Sequence, residues 1–403
     1  MLAHADPFRL RIERPKTLTA PQECELVRAA VARRPSMQMK RRLASLLMHA
    51  DEYSEAIALL EDCVEAAPDF GAFHALAQAR LALENEPDTR RAHAAAARAV
   101  ERAPDEQLRA AALATLGKAQ ARLGDDAAAQ AAFEAALVDN PQDKDACKRL
   151  IALHFRRERP EAALVLIDRL MAAGASHARL FAGRTLALAR LGRVEDARAF
   201  ENLAGFSLRR MLAPPAGWAS LAAFNAALAE ELVQHPALRY ERYGTASTKT
   251  WRIDAPAASG SGLLAALYDR MQSVIMAFVA ELAAVDHPWV RARPDEGVLH
   301  NWCVITDGVG HEEWHVHQFG WLSGGYYVAV PEAVSRGDGA AGGIGFGLPE
   351  DLVGEQAANA YGLDLVRPQA GLAMLFPSHA YHRTFQHGVP ERRICLAFDV
   401  WPT

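Results

Sequence analysis

Three prolines set the strongest constraint on the first half of this chain. Pro68, Pro104 and Pro141 each close an amphipathic segment, and they lie 36 and 37 residues apart. A fixed period of this length marks stacked helix pairs, because one pair cannot bury its apolar face alone and must stack on its neighbours. The region up to about residue 210 is rich in Ala, Leu, Arg and Glu and poor in glycine and aromatics. It predicts an α-helical solenoid of about four to six helix pairs.

The clearest unit runs from Ala110 to Pro141. Leu113, Leu116 and Gly117 fall on its first helix and Gly124 in its turn. Ala129, Phe133 and Ala136 fall on its second helix. Small residues at 117, 129 and 136 let two helices approach, and Phe133 fills the space that remains. This pattern resembles the tetratricopeptide consensus. Weaker copies lie at Ala56–Pro68, Ala92–Pro104, Ala163–Leu170 and Gly183–Ala197. The resemblance implies a concave groove for a peptide or partner protein; a purely structural extension fits the same residues.

From Pro214-Pro215-Ala216-Gly217 onward the pattern changes, which places domains at 1–212 and 213–403. Two helices come first, Ala219–Gln234 and Gly262–Ala284. Strands follow at Val298–Thr306, Glu313–His317, Leu322–Pro331, Gly343–Gly347, Leu372–Phe376 and Arg393–Val400. Short strands with glycine-rich turns predict a double-stranded β-helix, or jelly roll, with flanking helices. The fold class is thus α + β in two domains.

Composition excludes several classes. A net charge of −5 gives no basic stripe for nucleic acid. Five scattered cysteines make no disulfide framework and fit a reducing, cytoplasmic setting. The amino-terminal stretch has no apolar core of the secretory kind. Asp269, Arg270 and Glu281 make Gly262–Ala284 an amphipathic core helix rather than a membrane span.

Chemistry concentrates in Trp314-His315-Val316-His317. On a strand, alternate residues share a face, so His315 and His317 would converge on one point. A distal His382 follows 65 residues after His317, and Arg392 and Arg393 open the next strand. Imidazoles suit iron, zinc, copper and nickel. This set resembles the 2-oxoglutarate/Fe(II) oxygenases, and most of all their bacterial and phage branch. There an H-x-H pair is followed by a Ser-Gly strand with paired tyrosines, here Ser323-Gly324-Gly325-Tyr326-Tyr327, then by a distal His and an Arg. The resemblance covers roughly 298–401.

It implies an oxidoreductase, a dioxygenase with Fe(II) on His315, His317 and His382, and the cosubstrate 2-oxoglutarate on Arg393 with help from Tyr327 or Tyr326 and Ser323. Its substrate would be a C–H bond of a protein, peptide or small molecule. Two departures stand out. His317 occupies the place of the carboxylate in His-x-Asp, and Arg-x-Ser reads Arg393-Ile394-Cys395. Two rivals fit as well: a three-histidine cupin-type dioxygenase that needs no 2-oxoglutarate, and a non-enzymatic repeat scaffold with a degenerate barrel. His311, His379 and His387 read as loop or surface histidines, although His379 is close enough in sequence to support a ligand. Trp302 reads as core and Asn301 as a residue of the substrate mouth. Gly337–Gly347 reads as a mobile rim loop that could cover the site, since it lacks the Gly-Lys-Ser/Thr ending of a phosphate loop.

Overall fold

The computed structural model describes residues 8–13, 18, 20–240 and 246–403. Residues 1–7, on which the reading of the amino terminus partly rests, lie outside the described residues. The chain divides into two compact units: residues 16–175, and residues 1–15 together with 176–403.

The 16–175 unit is helical throughout its described residues. A leading helix, Ala20–Arg33, precedes four pairs: 37–49 with 53–66, 70–82 with 86–101, 106–122 with 126–139, and 144–156 with 160–172. Each proline of the 36–37-residue period lies in the joint between two pairs. Acidic and amide side chains cap the helices that follow. Asp69 accepts from the Ala72 amide at 3.0 Å, Asp105 from Leu108 at 2.7 Å and Asp143 from Ala146 at 2.8 Å. These bonds satisfy amide donors that a helix start leaves open. In the central pair, Phe133 is buried against Gly117. A Cβ at position 117 would lie 2.6 Å from the Phe133 ring, so only glycine lets the helices close to this distance. Gly124 takes a positive φ of 84° in the turn between them, as read from the sequence.

The second unit is built on an eight-stranded sheet. Its strands are β1 (Arg9–Ile12), β2 (Leu208–Met211), β3 (Arg239–Tyr240), β5 (Trp251–Asp254), β6 (Glu296–Thr306), β8 (Leu322–Ala329), β11 (Leu372–Pro377) and β13 (Arg393–Pro402). The order is β2-β11-β8-β13-β6-β5-β3, with β1 pairing β6 in parallel. A smaller sheet of β10 (Asp364–Val366), β9 (Ile344–Phe346) and β12 (His382–Thr384) accompanies it. So does a two-stranded ribbon of β4 (Ser247–Thr248) and β7 (His311–Glu312). The pairings within the three sheets are antiparallel apart from β1–β6, as a jelly roll requires. The helix Gly262–Leu282 is long and apolar enough to cross a membrane. Its buried residues, among them Leu264, Leu267, Tyr268, Met271, Ile275 and Leu282, recur at helical spacing on one face. Its Gln272 amide donates to the Leu10 carbonyl of β1 at 2.7 Å.

The units meet at residue 175, not at the expected 212, and β1 comes from the chain's other end. The reason is packing. Helix Ala178–Arg190 donates from Arg190 to the Leu352 carbonyl at 2.6 Å, and Arg198 donates to the Tyr361 carbonyl at 2.9 Å. Strand β2 zips onto β11 in register from Leu208 to Met211. The fifth helix pair, 178–190 with 194–201, therefore reads as a repeat in sequence but belongs to the sheet unit.

Buried within the sheet unit, Glu201 accepts a hydrogen bond from the Tyr361 hydroxyl, and its other oxygen has no partner among the described residues. Burial, only partly offset by Tyr361, pushes its carboxyl up to about 7. The folded state therefore holds a proton that the unfolded chain, near 4.5, releases. The stability tied to this group is full below the unfolded value and is lost as pH rises through 7, by about 3 kcal/mol. Glu201→Gln is expected to raise the thermal midpoint at pH 8.5 and to leave it nearly unchanged at pH 4. A variant that melts in parallel with the parent at both pH values would contradict this.

Candidate metal centre

Strands β6, β8, β11 and β13 form one wall of a cavity, and β9 and β12 form the opposite wall. Its lining includes Trp302, Val304, Glu312, His317, Tyr327, Ile344, Met374, Phe376, His382, Thr384 and Arg393. Gly325 of β8 keeps the floor open, and Gly324, facing the other side of the strand, lets Phe398 and the β11 backbone close in behind it. A Cβ at Gly324 would lie 2.2 Å from the Met374 carbonyl, and one at Gly325 3.0 Å from the Cys395 sulfur.

His315, His317 and His382 converge here: each offers one ring nitrogen, and these lie within 4.8 Å of one another. The Nε2 atoms of His317 and His382 are 3.2 Å apart. The convergence does not come from the strand alternation expected at Glu313–His317. That segment is irregular, and the pair is pinned instead by backbone bonds to the distal element. His315 and His382 exchange amide-to-carbonyl bonds at 3.0 and 3.1 Å, and the His317 amide donates to the Ser378 carbonyl at 2.9 Å. Trp321 and Trp289 stiffen the loop that follows His317. Each indole donates to the other's carbonyl, at 2.8 and 2.9 Å, and the rings stack at 4.9 Å.

Whether these residues fit a metal is decided by their Nδ1 atoms. The Nδ1 of His315 lies 2.7 Å from the Glu313 carbonyl, and that of His382 lies 3.0 Å from the Ala380 carbonyl. His317 Nδ1 lies 2.7 Å from a carboxylate oxygen of Asp399. Carbonyl and carboxylate oxygens only accept, so each ring carries a proton on Nδ1, and in its neutral form turns a bare Nε2 inward. Two Nε2 atoms facing each other at 3.2 Å need a cation between them, either a proton or a metal ion. The donor set fits a divalent metal with three imidazole ligands. Burial pushes the His382 imidazole well down, helped by the neighbouring His315 and His317. Burial also lowers His315, against the pull of Glu312. At His317 burial is overcome by Asp399, which holds the ring above its ordinary value.

Arg393 lies buried in the same cavity. Its guanidinium donates to the Gly342 carbonyl at 2.7 Å and forms no ion pair among the described residues. A buried guanidinium that contacts no carboxylate directly favours an anionic ligand, even with Glu312 elsewhere on the same wall. The face of β13 turned inward carries Arg393, Cys395, Ala397 and Asp399, opposite Tyr327, Gly325 and Ser323 of β8 for the last three. Tyr327 lines the cavity, whereas the Tyr326 hydroxyl donates away from it to Asn225 at 2.6 Å. Of the two tyrosines, Tyr327 is the one that borders the cavity.

Other expected roles change. Ser323 is not on the cavity wall as a cosubstrate contact. Its hydroxyl bonds to Asp399 and Ser378, each at 2.7 Å, because it sits beyond Gly325 at the Asp399 end of the face. Asn301 is buried and accepts from the Ala257 amide at 3.1 Å, so it braces a turn rather than lining a mouth. Trp302 does line the cavity and stacks on His317 at 5.5 Å. Gly337–Gly347 is no free rim loop: Gly342 holds Arg393, and Ile344 is wall. His379 and His387 are buried rather than superficial, with His379 set against Phe181 and Trp289. His311 faces Glu313 at 2.8 Å. Arg392 is exposed, over the Trp251 ring. Two residues escaped sequence reading. Asp399 was detectable by its even spacing from Arg393 on one strand face. Glu312 gave no signal, since its ribbon partner Ser247 is far away in sequence; burial would push its carboxyl up, but His315, His317 and Arg393 hold it low.

Comparisons with known proteins agree with this domain. Residues 300–399, about a quarter of the chain, match the family model described as "Putative 2OG-Fe(II) oxygenase". No curated protein matches the chain. Similar solved structures include a tetratricopeptide repeat protein from Parabacteroides merdae, with 17% identity, 45% of this chain and 70% of that one covered, and a TM-score of 0.36. A Pseudomonas putida prolyl-4-hydroxylase shares 12% identity over 53% of this chain and 99% of its own, with a TM-score of 0.34. YrrB, a TPR protein with an unusual peptide-binding site, shares 16% identity over 44% and 92%, with a TM-score of 0.33. Values this low leave the fold argument to the protein's own topology. Residues 300–399 thus match the 2OG-Fe(II) oxygenase family model, and a helical array with a tetratricopeptide-like period precedes them in the chain.

Proposed function

We propose that the sheet unit is a working Fe(II)- and 2-oxoglutarate-dependent dioxygenase that oxidises a C–H bond. The observation that carries this reading is Arg393, a buried guanidinium that meets no carboxylate at ion-pair distance among the described residues, in the cavity that two of the three histidines line. A metal on three imidazoles would suit several dioxygenases; the unpaired cation beside it favours a cosubstrate with a second carboxylate over the cupin-type rival. The family implies Fe(II) and 2-oxoglutarate.

The residues divide the work. His315, His317 and His382 would hold the metal through Nε2. Arg393 would grip the remote carboxylate of 2-oxoglutarate with two parallel hydrogen bonds, and Tyr327 borders the same space. Trp302, Val304, Ile344, Met374 and Phe376 present apolar surface that excludes water. When bound, the metal supplies oxygen activation, coupled to conversion of 2-oxoglutarate to succinate and carbon dioxide. The substrate class proposed is a protein or peptide segment, with a small molecule as the alternative; repeat arrays offer extended concave surfaces to such segments.

The test needs no substrate. Fe(II) and 2-oxoglutarate added together without oxygen should give a visible metal-to-ligand charge-transfer band, because keto acid and carboxylate chelate the metal. On admitting oxygen, succinate should accumulate. Bound iron without either signal would favour the cupin-type rival.

A further inference from the structure

The H-x-H motif puts an imidazole where a carboxylate ligand would cancel one unit of the metal's charge, and the fold returns that charge one residue outward. Asp399 is buried, and its Oδ1 lies 2.7 Å from His317 Nδ1. The same Oδ1 accepts from the Ser323 hydroxyl at 2.7 Å, and Ser323 in turn meets Ser378 at 2.7 Å. The other oxygen lies 3.5 Å from the Trp401 indole nitrogen. Gly320 makes room for this cluster: a Cβ there would lie 2.4 Å from the Ser378 hydroxyl and 3.3 Å from the Asp399 Cβ. His315 and His382 have only neutral backbone carbonyls behind them. Of the three rings, His317 alone bonds a carboxylate through Nδ1.

We infer that Asp399 is a positioning residue for the metal centre: it fixes the Nδ1–H form of His317, aims its Nε2 and makes it the most electron-rich of the three ligands. The inference rests on the three-histidine metal reading above. A carboxylate behind a ligating imidazole raises its basicity and fixes its orientation. Asp399 shares the inward face of β13 with Arg393, six residues away, so one strand carries both the charge behind the metal ligand and the cosubstrate cation.

The experiment is calorimetric titration of the purified full chain with Co(II), with the d–d spectrum as a second signal. Asp399→Asn keeps the shape and an acceptor oxygen but removes the charge; its Co(II) dissociation constant is expected to rise about 10- to 100-fold, with a shifted d–d band. Ser323→Ala leaves the His317–Asp399 pair in place and is expected to change the constant less than about threefold. Wild-type affinity and spectrum in a folded Asp399→Asn protein overturn the inference. If the parent itself binds no Co(II), the metal reading and this inference fall together, which separates the two failures. Should Asp399→Asn not fold, the parent still decides: with zinc bound and histidine labelled with 15N, His317 is expected to show a strongly downfield Nδ1–H. A proton on Nε2 there refutes the role.

Discussion

Replacing His382 by alanine is expected to abolish metal binding in practice, raising the Co(II) or Fe(II) dissociation constant by more than about 100-fold, beyond the range seen when only an outer partner of a ligand is lost. His382 is the most buried of the three histidines and lies at hydrogen-bond distance from one of them, 3.2 Å between Nε2 atoms. Removing it leaves two imidazoles, and nothing else on the wall replaces it. Glu312 is held on its own ribbon by Ser247 at 3.2 Å, and Thr384 Oγ1 accepts the Glu312 amide. Succinate release should fall to the level of the metal-free protein. Stoichiometric iron in a His382→Ala protein, counted by atomic emission, would show that the metal is held elsewhere.

The second large effect is expected at Arg393. Arg393→Ala should weaken 2-oxoglutarate binding by about 2–5 kcal/mol, roughly 30- to 4000-fold, the usual cost of stripping one partner from a buried charge pair. Metal affinity should change little, because the guanidinium touches Gly342 and none of the three histidines. Arg393→Lys should recover only part of the loss, since an ammonium cannot bind a carboxylate as a planar fork. Titration of 2-oxoglutarate into the anaerobic Fe(II) protein, followed by the charge-transfer band, reads this directly. An unchanged 2-oxoglutarate constant in Arg393→Ala would remove the cosubstrate from the proposal while leaving the metal centre standing.

Much of this was legible in the sequence because local chemistry wrote it there. The 36–37-residue proline period, Gly117 against Phe133 and Gly124 in its turn are short-range rules, and the helices follow them. The three histidines and the arginine were legible as residue types in a familiar order. How the pair at 315 and 317 is aimed was not, since an irregular segment bonded to residues 378 and 382 replaces the expected strand. The domain seam failed for a related reason. Residues 178–201 carry a repeat's local pattern, and only long-range bonds to Leu352 and Tyr361 assign them to the other unit. The roles of Ser323 and Asn301 likewise depend on partners such as Asp399 and Ala257, which spacing within one strand does not reveal.

The first described strand of the chain, Arg9–Ile12, pairs with residues 296–299, so the helical array at 16–175 is an insertion between two parts of the sheet unit. Severing the polypeptide at residue 175 would therefore strand one piece of the sheet unit with the repeats. The same arrangement orders folding: neighbouring helix pairs close short loops early, while the β1 contact must bridge nearly 300 residues of intervening chain and comes late.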